Sequence, residues 1–132
     1  MPDLFNGNTV PMNPPADFDL TKWIKTEMPK VPTVDPIVEA TIKEMRGPLG
    51  VKRIGGVGYC FGGKYVCRFL KEGRLDAGYT AHPSFVDAEE VQGITGPLSI
   101  AAAGMYTLYT LPSHRFALSF PQSNSIGIRK RP

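Results

Sequence analysis

The stretch KRIGGVGYCFGGKYVCRFLK, residues 52–71, decides the fold. It reads as a buried strand, a glycine-tight corner with Cys60 at its tip, and then a helix. Ile54, Val57 and the glycines around them suit a strand covered on both faces, where packing helices limit bulk. At its centre stands Gly58-Tyr59-Cys60-Phe61-Gly62, a G-x-C-x-G, the spelling of a nucleophile elbow with cysteine in place of serine. The backbone of such a corner is strained, and side chains two residues to either side of the nucleophile would collide. Gly58 and Gly62 remove them, at the entropic cost glycine carries. The helix that follows aims its N-terminus at Cys60, and its partial positive charge favours a thiolate over a thiol. The backbone N–H of Phe61 would serve as one oxyanion donor.

Other readings of the same letters compete. A glycine-rich strand-to-helix turn cradles a dinucleotide, but Gly56-x-Gly58 is followed by Phe61 where G-x-G-x-x-G needs its third glycine. A phosphate loop needs G-K-[ST], and Gly63-Lys64-Tyr65 fails at the last position. Free cysteines are also often buried as small hydrophobes. On the motif alone that reading stays open.

At 132 residues the chain is long enough for one domain with a core and too short for two. Gly and Pro are abundant, at 14 and 13, in an otherwise ordinary globular composition. No apolar run has transmembrane length and the N-terminus carries no signal-peptide pattern, so no membrane partner is expected. Cys60 and Cys67 are separated by about 10 Å of helical rise, too far for a disulfide. Their spacing is not that of a zinc site, and no metal or cofactor is expected. Reduced thiols without a targeting segment point to the cytoplasm. Residues 1–90 hold 11 Lys and Arg against all 12 Asp and Glu, whereas residues 91–132 hold Arg115, Arg129, Lys130 and Arg131 and no acid. The net charge of +3 therefore comes from the tail. Four charges, three of them terminal, are too thin a basis for a nucleic-acid partner, and a solvated disordered end accounts for them.

Along the chain, residues 1–15 read as loop from Pro2, Gly7, Pro11, Pro14 and Pro15. Residues 17–28 read as a short helix capped by Asp17 or Asp19, with Trp23 as a packing residue. Residues 33–46 read as a longer one, with Asp35 as cap and Pro36 at the first helical position. Val34, Val38, Ile42 and Met45 form its apolar stripe. After the corner, a helix over 62–72 closes on Gly73. Strands over 77–81 and 98–103 follow, separated by a turn or short helix at 87–92. Strands alternating with helices argue for a parallel sheet with right-handed crossovers.

IGGVGYCFGGKYV, GYTAHPSFV at 78–86 and GPLSIAAA at 96–103, with PDLFNGNTVP at 2–11, resemble the dienelactone hydrolase family, its fungal members above all. The resemblance implies a partial α/β-hydrolase fold: a parallel sheet of about three strands flanked by helices, with the early strands missing and an irregular C-terminal tail. It assigns residues 1–117 to a partial, truncated family domain and leaves 118–132 as an unmatched basic tail, expected to be disordered. It implies a Cys-His-Asp triad that cleaves a lactone or ester, and it carries Cys60 over as nucleophile. By the same likeness Ser113-His114-Arg115-Phe116-Ala117 matches the family's histidine loop, with Arg115 replacing a glycine. His114 is then the catalytic base.

Two features weigh against a working triad. No carboxylate follows Glu90, so the orienting acid cannot come from its family place. Asp87, Glu89 and Glu90 are the nearest substitutes, and no catalytic acid is identifiable. Residues 104–113 are expected to be irregular, because one residue cannot make the crossover that parallel neighbours need, so His114 is expected to be poorly placed. His82, at the end of the strand beside the corner, is a further site neighbour, read as a histidine under the active-site loops. The second oxyanion donor would come from an early loop that this chain does not contain. The reading is thus a cysteine hydrolase impaired in this chain, against a non-catalytic family fragment that acts by binding. Loss of early strands would also expose an apolar sheet edge and favour self-association.

Overall fold

A computed structural model describes residues 1–101 and 126–128. The chain divides into two compact units, Met1–Val51 and Lys52–Pro132.

The first unit is built from two helices and the loops around them. α1 spans Leu20–Thr26 and is capped by Asp19, whose carboxylate accepts from Lys22 N at 3.0 Å. The choice between Asp17 and Asp19 therefore falls on Asp19. Trp23 packs as expected, its ring stacked on Phe5 at 6.3 Å. The opening loop is held by Asp3, which accepts from Phe5 N and Gly7 N at 3.0 and 2.9 Å. α2 spans Val31–Arg46 and starts earlier than the sequence suggests. Its N-cap is Lys30, Pro32 takes the early proline position, and Pro36 lies inside the helix. An interior proline lacks the N–H for one helical hydrogen bond, yet the helix continues past it. Val34 and Ile42 from the anticipated stripe are buried.

The second unit holds the sheet. β1 (Gly55–Tyr59), β2 (Ala77–Ala81) and β3 (Leu98–Ala101) pair in parallel and in sequence order. The expected parallel sheet is therefore present. A three-residue strand that the sequence reading did not anticipate, β4 (Ile126–Ile128), pairs antiparallel with β3. α3 (Phe61–Phe69) packs on β1 and β2, and α4 (Ala88–Gln92) packs on α3. The core comprises Val66, Cys67, Leu70, Ile94 and Leu98, with Leu75, Val86 and Ile100 against them.

Two local expectations are corrected. α3 stops at Phe69, because the chain turns there to bury Leu70 completely; Gly73, at φ 76°, serves the next turn. β1 is not covered on both faces. Gly56 and Gly58 face α3, whereas Val57 and Tyr59 stand on the other face, 66% and 61% exposed. Among the described strands β1 is an edge, paired only with β2.

Burial of Cys67 has a measurable consequence. Desolvation, with Glu90 adding to it, pushes its thiol up from 9.0 to about 11. The unfolded chain loses this proton first as pH rises, so the contribution is intact below pH 9 and is lost between about 9 and 11. Denaturant titrations at pH 8 and pH 11 should show a loss attributable to this thiol of at most roughly 2–3 kcal/mol. Cys67→Ala should show a correspondingly smaller pH dependence; an unchanged one would contradict the assignment.

Candidate active site

Cys60 lies at the junction of β1 and α3, as the N-cap of the helix, with φ 49° and ψ −112°. A cysteine at such angles is strained by roughly 1–3 kcal/mol, and persists only where its surroundings dictate the conformation. They do so on three sides. Cys60 N donates to Ala81 O at 3.1 Å, which extends the β1–β2 ladder to the corner itself. Cys60 O accepts from Gly63 N at 3.1 Å and from Ser84 N at 3.0 Å. The side chain, turned away from these bonds, is exposed.

The glycines have unequal roles. A Cβ at Gly58 would lie 2.4 Å from Gly62 O, against backbone that cannot give way. Gly62 itself has open space where its Cβ would be, so its absence of a side chain is not what relieves the crowding. Gly63 has the second steric role: a Cβ there would lie 2.3 Å from Thr80 Oγ1 and 2.9 Å from Pro83 Cα.

Phe61 occupies the first position of α3, directly after Cys60 in the chain. His82 is exposed at the end of β2, in a positive-φ conformation, and its N–H donates to Ala101 O. Its ring lies 6.4 Å from that of Tyr59, and among the described residues no hydrogen bond joins it to the thiol. It is therefore not buried beneath the loops. His114 lies outside the described residues. No group of three or more His, Cys, Asp or Glu among the described residues is arranged to hold a metal. No described helix is long and apolar enough to cross a membrane.

Two features escaped the sequence. Ser84 Oγ lies 3.3 Å from Cys60 Sγ. Beneath it, Lys64 is buried with its Nζ donating to Phe85 O at 2.6 Å, Asp87 Oδ2 at 2.8 Å and Glu90 Oε2 at 3.0 Å. Arg68 pairs with the other Glu90 oxygen at 3.2 Å. Glu90 also accepts from Asp87 N, closing the capping box of α4. A buried ammonium is tolerable only when its donors are matched, as they are here. Asp87 and Glu90 are thus committed to cations on α3. The signal for Ser84 was available: parallel neighbours bring their carboxyl ends together, so a residue just past β2 falls beside one just past β1.

The sequence model of the dienelactone hydrolase family matches residues 1–114. The chain is 52% identical over 117 residues to "Hydrolase tropI" of Talaromyces stipitatus, covering 83% of this chain and 45% of that protein. It is 50% identical over 109 residues to "Hydrolase pyvD" of Aspergillus violaceofuscus, covering 83% and 44%. "Dienlactone hydrolase 1" of Gibberella moniliformis is 30% identical over 115 residues, covering 82% and 44%. The chain spans somewhat under half the length of these relatives. No solved structure matches it.

Substitution at the corner should separate the glycines. Gly58→Ala and Gly63→Ala should each lower the melting temperature by several degrees or abolish folding, while Gly62→Ala should stay close to the parent. A thermal scan in which Gly58→Ala and Gly62→Ala behave alike would contradict this packing.

Proposed function

The chain belongs to the dienelactone hydrolase family, and on that premise we propose that Cys60 is the nucleophile of a lactone or ester hydrolase on a nucleophile elbow. The observation that carries the reading is the exposed thiol at φ 49° on the tip between β1 and α3. Its sulfur attacks the carbonyl carbon of a small-molecule lactone or ester, and the C=O electron pair moves onto oxygen. The N–H of Phe61, at the start of α3, holds that oxyanion. His114 takes the thiol proton and returns it to the departing alkoxide. Water then cleaves the thioester, releases the acid and restores the thiol. Every catalytic group in this scheme belongs to the protein, with no metal, cofactor or nucleic acid involved. Free Cys60 and Cys67 accord with a reducing, cytoplasmic setting.

We read turnover in this chain as impaired. Asp87 is paired with Lys64, and Glu90 with Lys64 and Arg68, so neither of these two carboxylates is free to orient His114. Loss of the orienting acid costs on the order of 10⁴-fold in rate. The same observation favours the second reading, a non-catalytic family member that acts by binding. Among the described residues the outer edge of β1 has no strand partner, which supports self-association in either case.

Hydrolysis of a simple aryl ester decides between the two. The chain should show slow turnover that Cys60→Ala reduces to background. Equal rates for the two proteins would end the hydrolase reading of this chain.

A further inference from the structure

We propose that Ser84 is a positioning residue for Cys60: its hydroxyl donates a hydrogen bond to the sulfur and holds it in one rotamer. Lys64 in turn holds the loop that carries Ser84. This rests on the reading of Cys60 as nucleophile.

The two residues meet twice. Ser84 Oγ lies 3.3 Å from Cys60 Sγ, and Ser84 N donates to Cys60 O at 3.0 Å. The backbone bond fixes the distance between the chains, and the side-chain bond then fixes where the sulfur points. A cysteine thiol alone is free to rotate about χ1, and an exposed one has little packing to stop it.

The loop does not reach this place by its own preference. His82 and Phe85, either side of Ser84, have φ of 37° and 60°, and neither is glycine. Phe85 is 50% exposed, so burial of its ring does not account for the conformation. At Phe85 the constraint comes from Lys64. Its three N–H donors go to Phe85 O, Asp87 Oδ2 and Glu90 Oε2, which binds the loop and the start of α4 to α3. α3 begins at the corner occupied by Cys60. The sulfur and the hydroxyl are therefore mounted on one frame, and the buried lysine sets their separation without touching either.

Alkylation of Cys60 in the intact chain by iodoacetamide at neutral pH, followed by mass spectrometry, tests this without requiring turnover. The isosteric pair Ser84→Thr and Ser84→Val differs in the hydroxyl alone. Ser84→Thr should react within about twofold of the parent, and Ser84→Val about three- to tenfold more slowly, the range expected for one hydrogen bond. Melting temperatures measured in parallel should be similar for the pair. Ser84→Ala should follow Ser84→Val. Equal rates for Thr and Val would overturn the proposal, as would a Thr variant as slow as Val. Failure of the nucleophile reading looks different: no Cys60-dependent ester turnover, whatever the alkylation rates.

Discussion

The carbonyl of Gly62 lies where any side chain at position 58 would have to go. That one close approach lets the chain leave β1 and enter α3 without a connecting loop. Cys60 is then left at φ 49°, with its amide and carbonyl tied inward and its sulfur turned out. Cys67, two turns further along the same helix, has the opposite fate, buried and with its thiol pushed up to about 11. Two chemically identical groups are thus separated by backbone geometry into one that meets solvent and one that fills the core.

The second level of organisation is ionic. Lys64, Arg68, Asp87 and Glu90 form an ionic cluster, buried at Lys64 and Glu90 and exposed at Asp87, that joins α3 to the loop after β2 and to α4. Such clusters add little net stability when compared with apolar packing, but breaking one partner is costly. Their value here is positional, since the loop they secure runs past the Cys60 sulfur. The same pairing withdraws two carboxylates from any role as orienting acid.

The short-range features were legible in the residues. The strand, corner and helix across 54–69, the strand at Ala77–Ala81 and the cap of α1 follow from glycine placement, apolar spacing and Asp19. What escaped depends on contacts distant in sequence. Lys64 lies 21 residues from Phe85 and 26 from Glu90, and nothing local marks them as partners. The exposure of Val57 was hidden because glycines on both sides erase the alternation that would reveal its face. The end of α3 is not legible because Gly73 offers an obvious cap, while burial of Leu70 turns the chain earlier. The role of His114 belongs to residues outside those described.

On the proposed function, this corner presents one sulfur for acyl transfer. Intact-mass and peptide mapping of the chain after brief incubation with an activated aryl ester read this out. A single acyl group on Cys60 and none on Cys67 is expected. An unmodified Cys60, or acyl groups spread over other side chains, would contradict it.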